Sequence, residues 1–292
     1  MYNINTSYKR INVLSKVNLV TVTSRVTSLK QMLDHYSPIV DQIYVVGYKT
    51  SPESTIVQDL QNLGITPYKI VEGPKFQFET VTQLYNEVKL TKPDEWWIVA
   101  DDDELHVYPG DLRQMIQECE ENGWEYITGG FLDRIGENGE FPTIFPTTDL
   151  WQAFPYAGFF RYPISQACPN KACVMKGSVE VCNGQHYAIY DGKTVWGVEG
   201  TKHPRRYPPD KGFVQVHHFK WDSTVLERLE EVSNIKEDYT YWKEYRKMLN
   251  GILRKDGKIN LRNPEFLFEK LKENSYYEYS NWNTLTELII QI

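Results

Sequence analysis

Asp101, Asp102, Asp103 and Glu104 form the longest unbroken acidic run in the chain, and they directly follow the apolar stretch Trp96–Ala100. Adjacent carboxylates repel one another, and a cation among them relieves that repulsion. Two aspartates at i and i+2 in a loop or extended segment can converge on one divalent ion. Mg2+ or Mn2+ suits carboxylate oxygens and leaves positions open for phosphates. The plainer reading is a solvated acidic turn ahead of the helix that opens at Asp111. Position favours the first reading, because a buried strand that stops at a run of carboxylates puts them at a sheet edge.

The surrounding pattern supplies that sheet. Strand-like segments at Val17–Thr23, Val40–Val46, Ile65–Val71 and Glu95–Ala100 alternate with helix-like segments at Arg25–Tyr36, Pro52–Leu63, Glu79–Leu90 and Asp111–Asn122. Such alternation predicts βαβ units, a mixed, mainly parallel central sheet, and helices on both faces, a Rossmann-like α/β architecture. Ligands of open α/β sheets bind beyond the carboxyl ends of the strands. Three strand ends are therefore candidates: Thr23-Ser24-Arg25, Gly47-Tyr48 and the acidic run. After residue 130 short antiparallel strands are expected at Lys171–Lys176, Gln185–Tyr190 and Thr194–Gly197, then a basic Pro-rich loop at Thr201–Asp210 and a strand at Phe213–Phe219. Helical periodicity covers Thr224–Leu253, and two further helices are expected at Glu265–Lys272 and Trp282–Ile290.

Composition narrows the function classes. The 292 residues carry 32 Lys and Arg against 39 Asp and Glu, a net charge of −7, which disfavours broad binding to a nucleic-acid backbone. Aromatics make up 14% of the chain, enough to fill a core and line a sugar or base platform. No apolar stretch reaches the length of a membrane span, no leader is visible, and a cytoplasmic location is expected. Cys119, Cys168, Cys173 and Cys182 match no zinc spacing and read as free thiols.

The run Val99-Ala100-Asp101-Asp102-Asp103-Glu104-Leu105-His106 resembles the D-x-D-E-F segment of glycosyltransferases with the GT-A fold, especially family 2-like members. Leu105 stands where Phe is commoner. Three later segments agree in order. Phe131-Leu132-Asp133-Arg134 with Asn138-Gly139 is similar to a D-R-x(n)-G segment. Lys171–Gly177 with Gly184-Gln185-His186 is similar to K-x(5)-G…G-x-H. Val216-His217-His218-Phe219-Lys220-Trp221 is similar to a late H-F/Y-K-W segment. The resemblance spans roughly residues 17–230. It implies a GT-A catalytic domain over 1–230, with a nucleotide-sugar half at about 17–130, an acceptor half at 131–222, and a C-terminal helical extension at 223–292 packed on it.

The resemblance also implies roles. Asp101 and Asp103 would bind Mn2+ or Mg2+ on the diphosphate of a nucleotide-sugar, a UDP-sugar favoured, with Asp102 beside them. His217 or His218 would complete the metal shell; neighbours on a strand face opposite ways, so one of them reaches it. Thr23, Ser24 and Arg25 would touch the nucleotide, with Ser24 also a plausible helix cap, and Tyr48 beside Gly47 either stacks on the base or covers the sheet. Apart from the resemblance, Lys202, His203, Arg205 and Arg206 form a basic patch in a Pro-flanked loop that either neutralises a departing diphosphate or is a solvated loop. Trp151, within the aromatic cluster Phe154, Tyr156, Phe159 and Phe160, and His186 are acceptor-side candidates; core packing competes for each. An inverting reaction needs a carboxylate base. Asp133, Asp149, Glu180 and Glu199 are all placed for it, Asp133 and Asp149 foremost.

The expected function is metal-dependent transfer of a sugar to a hydroxyl of a glycan or other acceptor. Two alternatives remain: another metal-dependent phosphate enzyme, such as a nucleotidyltransferase or phosphatase, and a non-catalytic carbohydrate-binding protein. The absence of glycine from Thr21–Leu29 argues against a nucleotidyltransferase phosphate loop.

Overall fold

Two strands with no polar face organise the molecule. In β1 (Val17–Thr23) and β4 (Trp96–Val99) every residue is buried, and the two pair in parallel from Val17↔Trp96 to Val20↔Val99. Alternate side chains serve opposite faces. Val17, Leu19, Trp96 and Ile98 join one core cluster; Val20, Val22, Trp97 and Val99 join another. The first lies under α1 (Leu29–Tyr36) and α4 (Leu112–Asn122), the second under α3 (Phe78–Leu90). Burial on both faces explains the unbroken apolar run of β4, while β1 also buries Asn18, Thr21 and Thr23.

The computed structural model describes residues 15–73, 77–195, 202–235 and 241–271. The expected α/β architecture is present. Strands β2 (Gln42–Lys49) and β3 (Lys69–Glu72), with α2 (Ile56–Asn62) between them, extend the parallel half in the order β3-β2-β1-β4. Antiparallel strands continue the sheet. β8 (Asn170–Lys176) pairs with β4 and with the long β6 (Tyr126–Ile135), and β7 (Tyr156–Gly158) pairs with the end of β6. Two short helices, α5 (Leu150–Ala153) and α6 (Arg161–Ser165), flank β7. A small antiparallel sheet is built from β9 (Glu180–Val181), β10 (Ala188–Tyr190) and β11 (Lys193–Thr194). β12 (Val214–His218) lies parallel to β6, and α7 (Val225–Asn234) and α8 (Trp242–Leu253) follow it. These helices share a core with Ile135, Phe160 and Trp221.

Several sequence expectations change. β5 (Glu104–Val107) was not expected; the chain after the acidic loop re-enters the sheet antiparallel to β12. α1 begins at Leu29 rather than Arg25, because residues 24–28 are held in a loop beside the acidic run. β2 runs three residues past Val46, so Gly47 lies inside it, where a Cβ would meet Ile70 Cδ1 at 2.6 Å. The helix expected over 265–272 is absent. Pro264–Phe266 makes a single 3-10 turn, Leu267 takes φ 52°, and β13 (Glu269–Lys270) pairs with β7. The helix expected over 282–290 lies outside the described residues. All four cysteines are free, and among the described residues no helix is long and apolar enough to cross a membrane.

Lys89 sits fully buried at the end of α3, where its ammonium donates to the Val179 carbonyl and to Met175 Sδ. Burial pushes its pKa down to about 7. Between that value and the ordinary lysine value near ~10.4, the unfolded chain binds more protons than the native one, so this residue makes stability rise with pH. Urea unfolding of the wild type and of Lys89→Met at pH 7, 8.5 and 10 tests this. The wild type is expected to gain stability relative to the variant as pH rises; a pH-independent difference would show that Lys89 stays charged.

Candidate functional site

β4 ends in the core and releases the acidic run at the carboxyl edge of the parallel half. Each carboxylate meets a different environment. Asp101 accepts from Tyr85 Oη at 2.9 Å and from Lys171 Nζ at 3.1 Å, and its side chain is 32% exposed. Asp102 accepts from Thr23 Oγ1 at 2.5 Å, while its carbonyl accepts from Ser28 Oγ. Asp103 Oδ2 meets Arg25 at 3.1 Å and its Oδ1 lies 3.4 Å from His218 Nε2. Glu104, fully buried, accepts from Lys171 Nζ at 2.7 Å and from the Asp101 backbone N–H at 3.1 Å.

The electrostatics follow from these partners. Burial raises all four carboxylates. For Asp101, Lys171 and the Tyr85 hydroxyl more than offset that rise and hold the pKa below its usual value. For Asp103, His218 and Arg25 do so more strongly. Asp102 is pushed up to about 7 by burial and by its two acidic neighbours. Glu104 is pushed up to about 8 by burial and by Asp101. The run thus carries two firm negative charges, at Asp101 and Asp103, matched by Lys171 and Arg25. Lys171 and Arg25 relieve the repulsion between those two charges.

The donor set nonetheless fits a hard divalent ion that a phosphate completes. Asp103 Oδ1 and His218 Nε2 converge, and burial lowers the His218 pKa while Asp103 raises it. His218 Nδ1 has no hydrogen-bond partner and lies 4.0 Å from Asp133 Oδ1, beyond the reach of the hydrogen bond that would fix the ring. Among the described residues no three His, Cys, Asp or Glu side chains group to hold an ion by themselves. Phosphate oxygens and water would have to supply the rest.

Two depressions meet at this point. A wide cleft of ≈ 610 Å3 is lined by Val22, Ser24, Arg25, Thr50, Ser51, Val81, Asp101–Asp103 and, from the C-terminal helices, Arg228, Leu229, Val232, Ile235 and Tyr245. A narrow pocket of ≈ 80 Å3 is lined by Asp101, Glu104, Phe131, Arg161, Lys171, His186, His218, Tyr241, Glu244 and Tyr245. Asp101, His218, Phe78, Lys220 and Tyr245 line both. Lys220 donates to Tyr245 Oη at 3.2 Å and, among the described residues, forms no salt bridge. Arg228 is tied to buried Asp222, which also lies 4.0 Å from Arg25.

Of the sequence candidates, Ser24, Arg25, Asp101, Asp102, Asp103, His186 and His218 line these depressions. Others lie elsewhere for clear reasons. His217 points to the opposite face, buried against Trp151 at a ring distance of 5.1 Å. Trp151 packs there with Phe219 and under the Arg134 guanidinium, so it is not an acceptor platform. Tyr48 is buried in the core beneath α3 and cannot stack on a base; Gly47 is covered by Ile70 and Leu60. Thr50 and Ser51 line the cleft instead. Thr23 is buried and positions Asp102.

The basic loop is displaced most. β12 pairs with β6 from Val214↔Gly129, so the chain leading into it lies beside the start of β6, at the opposite end of the sheet. There Arg205 meets Glu125 at 3.1 Å, Arg206 is buried on Thr128 Oγ1, His203 packs on Tyr190, and Lys202 is exposed. The loop does not reach the acidic run.

Two of the four candidate bases, Asp133 and Asp149, are engaged by other donors. Asp133 is fully buried and accepts from the backbone N–H groups of Phe160 and Arg161 and from Trp221 Nε1. Asp149 caps α5, accepting from Trp151 and Gln152. Glu180 is exposed on β9, and Glu199 lies outside the described residues. Lys171 and Lys220 stood in the quoted motifs without a role. Tyr85, Arg161, Asp222, Arg228 and Glu244 carried no signal, because no motif frames them.

No protein-family model matches the chain, and no curated protein matches it. Among solved structures, S. aureus TarS 1–349 in complex with UDP-GlcNAc aligns at 12% identity over 82% of this chain and 71% of that one, with a TM-score of 0.34. A 4-diphosphocytidyl-2C-methyl-D-erythritol synthase aligns at 16% identity over 56% of this chain and 76% of that one, with a TM-score of 0.31. Likeness at this level assigns neither family nor substrate.

Lys171 gives the test of this electrostatic arrangement. Lys171→Met leaves the Asp101 carboxylate without its cation and Glu104 without its donor and is expected to cost about 3–5 kcal/mol in urea unfolding, whereas Lys171→Met with Asp101→Asn is expected to recover part of that loss. A double variant as unstable as the single one would show that Lys171 packs rather than compensates charge.

Proposed function

We propose that the chain is a glycosyltransferase that moves a sugar from a nucleoside-diphosphate sugar to an acceptor hydroxyl. The observation that carries this reading is the convergence of Asp103 and His218 at 3.4 Å where the wide cleft meets the narrow pocket. The ordered motif resemblance to family 2-like GT-A enzymes supports it.

The wide cleft suits the nucleotide. Val22 and Val81 on the sheet side and Leu229, Val232 and Ile235 on α7 offer apolar walls to a base and ribose, with the hydroxyls of Thr50 and Ser51 beside them. Asp103 and His218 would hold Mg2+ or Mn2+, which supplies charge stabilisation to the diphosphate when bound. Arg25 and Lys220 flank the same point and stabilise the charge that develops on the leaving diphosphate. They take the part expected of residues 202–206.

The narrow pocket suits the acceptor hydroxyl, and Glu244 is the base this reading assigns. Its Oε1 lies 3.4 Å from Arg161, whose guanidinium stacks on Phe131 at 5.0 Å, so the carboxylate is held on the pocket wall shared with Asp101 and His218. At 25% side-chain exposure it remains open to the pocket, unlike Glu104 or Asp133.

The test measures sugar turnover from UDP-, GDP- and TDP-sugars. Asp103→Ala is expected to abolish it with the circular dichroism unchanged. Glu244→Gln is expected to lower transfer by ~10²–10⁴-fold while donor binding persists. Full turnover in Asp103→Ala would refute the reading, and release of pyrophosphate from a nucleoside triphosphate would move the chain to the nucleotidyltransferases.

A further inference from the structure

The far end of α8 carries a feature that sugar transfer from a nucleotide donor does not require. Two adjoining grooves of ≈ 440 and ≈ 640 Å3 share Arg254, Lys255, Lys258, Ile259 and Asn260. Lys247 lines the first and Arg262 the second. All five cations are exposed. Lys258 pairs with Glu140 at 2.6 Å; among the described residues Lys247, Arg254, Lys255 and Arg262 form no salt bridge. Asp256 is the acidic residue on the groove wall itself. This is a concentration of positive charge on a chain of net charge −7.

Helix-end electrostatics explain only part of it. Cations just past the C-terminus of a helix meet its dipole; Arg254 is the C-cap of α8 and Lys255 the residue after it. Lys258 and Arg262 lie beyond the helix, on a turn that doubles back through Asp256 and Gly257, at φ 58° and 71°. That turn makes the surface concave. Asn250, Asn260, Asn138 and Tyr156 add amide and phenol groups suited to sugar hydroxyls. A membrane surface would call for a flat face with several apolar side chains to insert. Leu253, at 53% exposure, is the large exposed apolar residue in this region.

Position links the groove to the narrow pocket. Glu244 and Tyr245 on α8 line the pocket, and Lys247, Asn250 and Arg254 follow on the same helix. Ten residues of helix, from Glu244 to Arg254, span about 15 Å, the length of a few sugar units. We propose that the groove docks the acceptor, an anionic glycan whose charged units lie along Lys247, Arg254, Lys255, Lys258 and Arg262 while its hydroxyl-bearing end enters the pocket at Glu244. The role as acceptor rests on the transferase reading; the docking does not. A net charge of −7 disfavours polyanions over the surface as a whole, so the unpaired cations of this groove are where one is attracted.

Binding by the full chain is measured at low salt with polygalacturonate, with neutral dextran of equal length, with inorganic polyphosphate, and with phosphatidylglycerol vesicles. Polygalacturonate is expected to bind, more weakly as salt rises, and dextran not to bind. The variant Arg254→Gln with Lys255→Gln and Lys258→Gln is expected to lose about tenfold or more in affinity, with hydrolysis of the nucleotide-sugar donor unchanged. Lys247→Gln alone is expected to give a smaller loss in the same direction. Unchanged polygalacturonate binding in the triple variant would overturn the proposal. So would equal binding of polyphosphate, which lacks sugar hydroxyls, or binding of vesicles without binding of the soluble glycan. Glycan binding lost in the triple variant, in a protein that turns over no donor, would uphold the groove and remove the transferase reading.

Discussion

Two cations, Arg25 on Asp103 and Lys171 on Asp101 and Glu104, make the acidic edge of the sheet tolerable. Without them the apolar strand β4 could not end in carboxylates buried on several sides, since an unpaired buried charge is among the costliest defects a fold can carry. Each cation comes from a different part of the chain. Arg25 follows β1, and Lys171 opens β8, antiparallel to β4. Neutralising the cluster therefore ties the parallel half of the sheet to the antiparallel half. It also holds Asp103 Oδ1 turned toward His218 at the meeting of cleft and pocket.

The same constraint explains the local shape of the chain. Residues 24–28 do not extend α1, because Thr23, Arg25 and Ser28 are all engaged with residues 102 and 103. β5 follows because Glu104 must be buried against Lys171, and its pairing with β12 brings His218 opposite Glu104. The C-terminal helices then close the site. α7 contributes the outer wall of the cleft, while α8 contributes Glu244 and Tyr245.

Sequence reading reached the parts of this arrangement that local pattern encodes. The alternation of strands and helices through residue 122, the acidic run at a strand end and the pair His217-His218 were all legible, because each is a contiguous signal. What escaped depends on register between distant strands. The pairing of β12 with β6 sends residues 202–206 to the wrong end of the sheet for a diphosphate. The same register decides that His218 rather than His217 faces Asp103. Asp133 looked available in a D-R motif and is instead saturated by three donors. Glu244 was invisible because a single acid on an amphipathic helix is the commonest of surface features.

The central claim is that Asp103 and His218 grip a diphosphate through a shared dication. Calorimetric titration of UDP, GDP and TDP, each with Mn2+ and with EDTA, addresses it most directly. At least one nucleotide is expected to bind about tenfold or more tightly with Mn2+, a gain of ~1.4 kcal/mol, and Asp103→Asn is expected to erase that gain. Equal affinity in Mn2+ and EDTA, or a gain that survives in Asp103→Asn, would contradict the account.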